Sequence, residues 1–231
     1  MLIKGLQKLS LIEYPSKLSA VVWVGNCNFR CPFCYNKDIV LNYNKMKTIP
    51  EKKIIDFMST RKGLLDAIAI TGGEPTLQKD LPEFAKKIKD MGFLFMVETN
   101  GSNSKMIKGL IDKKLVDYIA MDIKASLNKY ENVAGEKVNK KNIQKSIDII
   151  RNSGVDYEFR TTVIPKLFKK EDAVAIGKWL KGSKNYYLQQ FVPENNVDKT
   201  FERVKPYPHE KLKEFAKTMK PYFKSIRVRE S

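Results

Sequence analysis

The residues able to do chemistry in this chain are gathered in one stretch, Gly25-Asn26-Cys27-Asn28-Phe29-Arg30-Cys31-Pro32-Phe33-Cys34-Tyr35-Asn36. It holds all three cysteines, spaced C-x₃-C-x₂-C. Thiolates at this spacing can converge on one centre if the backbone wraps around it. Gly25 and Asn26 loosen the entry, and Pro32 lacks the N–H that a helix needs, so the stretch reads as a loop. A cubane iron–sulfur cluster normally takes four cysteines, so three leave one iron open, and an open position marks a reacting centre. A structural zinc site needs a fourth ligand, and the one histidine, His209, lies far downstream and reads as a surface helix residue. Three thiols buried in a core are the remaining reading. Confinement of every cysteine to one loop favours the cluster.

The elements that must position this loop alternate along the chain. Residues 1–17 read as a short lead-in that turns at Pro15. Residues 18–24 are apolar and β-branched, hence a buried strand feeding the cysteine loop. A long loop follows, and Pro50 opens a helix through Met58. Further strands are expected at 67–71, 93–97, 116–121, 156–164, 185–191 and 225–228. Helices are expected at 79–91, 104–113, 142–151, 171–181 and 208–220, with a long connection over 125–140. Six βα units in one uninterrupted domain, residues 1–231, argue for a parallel sheet with helical crossovers. Periodicity alone leaves a flavodoxin-like open sheet as the alternative to a barrel.

Composition narrows the class. Hydrophobic residues make up 42% of the chain and no apolar run reaches the roughly 20 residues of a membrane span. The N-terminus lacks a signal-peptide pattern, and three cysteines in one loop fit a reducing cytoplasm. The net charge is +17, yet only seven of the 43 basic residues are arginine and the lysines are dispersed. That pattern reads as a solvated lysine surface, compatible with an acidic protein partner, and argues against a nucleic-acid reader.

Polar residues collect at the expected strand ends: Gly72-Gly73-Glu74-Pro75, Glu98-Thr99-Asn100-Gly101, and Asp122 with Lys124. Arg160 lies inside a later strand. Opposite charges facing one cavity can hold a zwitterion; structural salt bridges between strands are the competing reading.

The cysteine pattern with Phe33 as its aromatic, C-x₃-C-x-Φ-C, resembles the signature of the radical S-adenosylmethionine (SAM) superfamily. The resemblance implies an open partial (β/α)₆ TIM-like barrel. It implies a [4Fe–4S] cluster on Cys27, Cys31 and Cys34, SAM chelating the open iron, and reductive cleavage of SAM to a 5′-deoxyadenosyl radical. Phe33 would lie beside the adenine, and Gly72, Gly73 and Glu74, as a GGEP motif, would contact the SAM amino group. ETNG and MDIK resemble the D-T-N-G and L-D-L-K motifs of glycyl-radical-enzyme activases. By that likeness Thr99, Asn100, Lys124 and Arg160 are SAM contacts, Lys124 to the carboxylate, and Glu98 and Asp122 hold a monovalent cation. Glu98 replaces the family's Asp, one methylene longer, and Tyr35 stands where many relatives have His.

The lead GLQKLSLIEYPSKLSAVVWVGNCNFRCPFCYN is similar to anaerobic ribonucleoside-triphosphate reductase activating proteins. The implied function is to generate a glycyl radical on a partner enzyme, anaerobic ribonucleotide reductase, with an electron donor such as flavodoxin or ferredoxin. The alternative is a small-molecule radical SAM enzyme such as a 7-carboxy-7-deazaguanine synthase; a non-catalytic cluster or zinc module is the third reading.

Overall fold

The computed structural model describes residues 1–229. Its strands are β1 (Ile3–Ser10), β2 (Ser19–Val24), β3 (Ala67–Gly72), β4 (Leu94–Thr99), β5 (Tyr118–Asp122), β6 (Asp156–Val163), β7 (Asn185–Gln190) and β8 (Ser225–Arg229). Its α-helices are α1 (Lys37–Leu41), α2 (Glu51–Ser59), α3 (Leu81–Asp90), α4 (Ser104–Asp112), α5 (Tyr130–Ala134), α6 (Lys140–Asn152), α7 (Lys170–Trp179) and α8 (His209–Met219). The chain forms two compact units. Met1–Asn28, Asp38–Ala120 and Lys141–Asp156 make the first; Phe29–Lys37, Met121–Lys140 and the chain from Tyr157 make the second.

In the first unit β2, β3 and β4 pair in parallel, with Val22 opposite Ile70 and Ile70 opposite Val97. Parallel strands need crossovers, and crossover helices cover the faces, so such strands carry unbroken apolar runs. Ala20–Val22, Ala67–Ile70 and Phe95–Val97 are accordingly all buried. Helix α3 buries Leu81, Phe84, Ala85 and Ile88, one stripe at helical spacing, and Phe84 meets Phe95 edge-on at 6.1 Å.

The sequence reading of residues 1–17 as a plain lead-in is corrected here. Residues 3–10 form β1, antiparallel to β2, with Leu6 opposite Val22. Beyond it Tyr14 enters a cluster with Ala67, Ala69, Met96, Tyr118 and Ala120. The two stretches expected to be irregular also hold short helices, α1 after the cysteines and α5 within 125–140. Other boundaries fall within about two residues of expectation, the usual fraying uncertainty.

In the second unit β6, β7 and β8 are parallel, with Phe159 opposite Tyr186 and Leu188 opposite Val228. Alternation divides their side chains. Phe159, Tyr186 and Leu188 are buried apolar residues on one face, where Tyr186 stacks on Phe223 at 4.5 Å. Glu158, Arg160 and Tyr187 fall on the other face by register.

Candidate active site

The first part of the cysteine loop is fixed by backbone. Val24 ends β2 opposite Gly72, Gly73 N donates to Val24 O at 2.8 Å, and Glu74 N donates to Asn26 O at 2.8 Å. Gly72 has φ +115°, and a Cβ at Gly73 would lie 1.9 Å from Asn26 O. The two glycines therefore let the β3 turn lie directly against the loop that carries Cys27.

Glu74 is buried, and its carboxylate is fully engaged. Oε1 accepts from Thr76 N (3.0 Å), Thr76 Oγ1 (2.5 Å) and Thr99 Oγ1 (2.7 Å), and Oε2 accepts from Asn100 N (2.7 Å). Burial pushes the carboxyl up from its ordinary value, while the Asn100, Thr76 and Thr99 donors pull the other way. Glu74 thus ties the β3 turn to the β4 turn. Asn100 continues the connection: its Nδ2 lies 3.0 Å from Asn28 Oδ1 and 3.9 Å from Cys27 Sγ. Glu98 Oε2 accepts from Thr71 Oγ1 at 2.7 Å.

In the second unit the loop continues through Cys31, Phe33 and Cys34. The end of α5 presses on its start: Arg30 N donates to Ala134 O at 2.9 Å, and a Cβ at Gly135 would lie 2.1 Å from Arg30 O. Asp122, at the end of β5, accepts from Lys124 Nζ (2.8 Å) through Oδ2 and from Arg160 Nε (2.6 Å) through Oδ1. Burial opposes ionisation of Asp122, but Lys124 and Arg160 outweigh it and hold the carboxyl well below the usual carboxylate range. Burial likewise disfavours the Lys124 ammonium, yet Asp122, then Cys31 and Cys34, raise its pKa above the ordinary lysine value. Arg160 also lies 4.0 Å from Glu158, which pairs with Arg229 at 2.9 Å, and Arg229 stands over the Tyr187 ring at 4.2 Å. Burial pushes the Cys34 thiol up; a hydrogen bond from Asn36 N–H and the charge of Lys124 oppose it.

The expected residues are thus assembled in two groups. The first unit joins Gly72, Gly73, Glu74, Thr99 and Asn100 to the Cys27 end of the loop, and the second joins Asp122, Lys124 and Arg160 beside Cys31 and Cys34. The competing reading of salt bridges between strands describes Arg160, which reaches Asp122 from the neighbouring strand. Sequence reasoning missed that Glu74 is occupied by four donors. It also missed Asn196, fully buried, whose Nδ2 donates to Phe33 O at 2.8 Å. The Asn195-Asn196 pair after Pro193 was the available signal, since Asn favours turns that hydrogen-bond backbone.

The donor set fits a cluster. None of the three cysteines is in a disulfide, and sulfur in each unit has an amide near it. Among the described residues no group of three or more His, Cys, Asp or Glu is gathered to hold a single metal ion. A cubane places its thiolates on different irons, a different demand.

The pattern described as the radical SAM superfamily matches residues 21–176. The chain belongs to that superfamily, an enzyme class whose cofactors are a [4Fe–4S] cluster and SAM. Over nearly its full length, 99%, it is 39% identical to 95% of a Methanocaldococcus jannaschii protein named as a glycyl-radical enzyme activating enzyme. A second protein of that organism and description is 31% identical, with 83% of this chain and 73% of the relative aligned. The structure of Streptococcus suis SuiB bound to S-adenosylmethionine superposes with a TM-score of 0.69 at 12% identity, covering 89% of this chain. This chain spans about half of that one, 48%, and the likeness shows the fold alone. The α/β, parallel-dominant fold of radical SAM type expected from the sequence is the one found.

Proposed function

We propose that this protein is a glycyl-radical-enzyme activase and that its partner is an anaerobic ribonucleotide reductase. The observation that carries the reading is the near full-length likeness, at 39% identity, to a protein named as such an activating enzyme. In this reading residues 1–231 act as a single radical SAM domain in the cytoplasm, served by a flavodoxin or ferredoxin.

Cys27, Cys31 and Cys34 would hold the cluster. Bound there, the cluster and SAM would supply the reductive radical chemistry by which hydrogen is taken from a partner glycine. Lys124, a cation held by Asp122 at 2.8 Å and favoured by the charges of Cys31 and Cys34, is suited to the SAM carboxylate. Phe33, buried at 6% exposure, would lie beside the adenine. In the first unit Gly72, Gly73, Glu74, Thr99 and Asn100 shape the turns beside Cys27, Glu74 by holding both of them. Arg160 orients Asp122, which leaves a monovalent cation at Asp122 in competition with Lys124 and Arg160; Glu98 is the remaining candidate ligand. Lys137, on the connection before α6, and Lys141, in the first turn of α6, are exposed and suit an acidic partner surface, whereas Lys129 and Lys140 are engaged by Asp172 and Glu131.

The test mixes reconstituted, reduced protein with SAM and the large subunit of an anaerobic ribonucleotide reductase from the same organism. A glycyl-radical signal in electron paramagnetic resonance, lost when the partner's glycine becomes alanine, is expected. SAM cleavage driven only by a small metabolite, with no radical on the partner, would refute the activase. Alanine at Cys27, Cys31 or Cys34 should each abolish the oxygen-sensitive brown chromophore on reconstitution; zinc without iron in wild type would sink the cluster.

A further inference from the structure

The connection between β7 and α8 runs against four successive carbonyls of the cysteine loop. Asp198 N donates to Pro32 O (2.9 Å), Asn196 Nδ2 to Phe33 O (2.8 Å), Val197 N to Cys34 O (2.9 Å) and Asn195 Nδ2 to Tyr35 O (3.4 Å). Asn195 has φ +49°, a left-handed conformation that asparagine tolerates. Asn196 is completely buried, and its Nδ2 also donates to Val192 O at 3.1 Å, so both of its hydrogens are used. Its Oδ1 is buried with no partner among the described residues. An apolar side chain would avoid that cost, so packing alone does not explain the residue.

The carbonyl of one residue and the N–H of the next point in opposite directions across a planar trans peptide. Each carbonyl held by residues 195–198 therefore turns the following N–H to the other side, where that of Cys34 is taken by Cys31 O at 3.1 Å. At Tyr35 the consequence is explicit: its carbonyl accepts from Asn195, and the next N–H, that of Asn36, donates to the Cys34 sulfur. Hydrogen bonds to cluster sulfurs stabilise the more negative, reduced state and raise the reduction potential.

We infer that residues 195–198 form a positioning strap that holds the carbonyls of residues 32–35, turns the Asn36 amide toward the Cys34 sulfur and so sets the potential of the cluster bound there. Asn195 and Asn196 act through the loop and need no contact with the cluster. The inference rests on the cysteine assignment proposed above.

The experiment is a redox titration, followed by electron paramagnetic resonance, of anaerobically reconstituted full-length protein and its Asn195→Ala and Asn196→Ala variants. Thermal unfolding of the apo forms runs in parallel. Ser183→Ala, which removes a buried hydroxyl donor to Leu180 O in the same unit, is the control for a merely structural loss. Both asparagine variants should shift the midpoint to more negative potential, and Ser183→Ala should leave it in place whatever its melting temperature. Asn195 is exposed, so its variant keeps the test open if Asn196→Ala does not fold. Midpoints equal to wild type in a cluster-bearing variant overturn the strap, even where the melting temperature falls. Absence of iron uptake by wild type overturns the cysteine assignment first, and the strap with it.

Discussion

Glu74→Gln separates a strut from a ligand contact. The glutamine amide has two orientations. With its nitrogen in the Oε1 position it would face three donors; in the Oε2 position it faces only Asn100 N–H, so the second is adopted. That leaves one backbone donor orphaned, at about 1–3 kcal/mol. The three surviving bonds fall from charge-assisted to neutral, for a combined cost of about 2–4 kcal/mol. For a domain of this size each kcal/mol moves the melting temperature by about 2–4 °C, which gives a fall of about 4–16 °C in the apo protein. The assay is thermal unfolding by circular dichroism without cluster or SAM, so that ligand binding contributes nothing. An apo melting temperature within about 2 °C of wild type, together with weakened SAM binding in the reconstituted protein, would refute the strut and return Glu74 to a simple ligand contact.

Gly73→Ala places a Cβ 1.9 Å from Asn26 O, a backbone atom that has little room to yield. It should lower the apo melting temperature and iron uptake together, measured by calorimetry and iron analysis. Lys124→Ala removes a charge-assisted contact worth about 1.5–3 kcal/mol, so SAM affinity measured by equilibrium binding should fall roughly ten- to a hundredfold with iron content unchanged. Asp122 has a depressed folded-state pKa, so its stabilising contribution is complete above its unfolded value of about 3.9 and is lost as pH falls below that. The melting-temperature gap between wild type and Asp122→Asn should accordingly close on acidification below about pH 4; a gap independent of pH would exclude the ionised pair.

The sequence by itself determined the βα alternation, because apolar runs with turn residues between them admit few other parallel arrangements, and it located the cysteine loop from spacing alone. It also placed the polar residues at strand ends. The strand at residues 3–10 escaped it: Ile3-Lys4-Gly5-Leu6-Gln7-Lys8 has weak alternation, and its pairing is decided by β2, a partner beyond a turn. The partners of the polar groups were equally hidden. A carboxylate such as Glu74 or Asp122 reads the same in sequence whether it faces a ligand or a buried donor. Only the tertiary structure brings Asn100 to Glu74, Arg160 to Asp122, and Asn196 to Phe33 across 163 positions of chain. Residue type fixes what a group can donate or accept; the fold alone decides which group it meets, since hydrogen bonds act over about 3 Å and carry no trace of sequence separation.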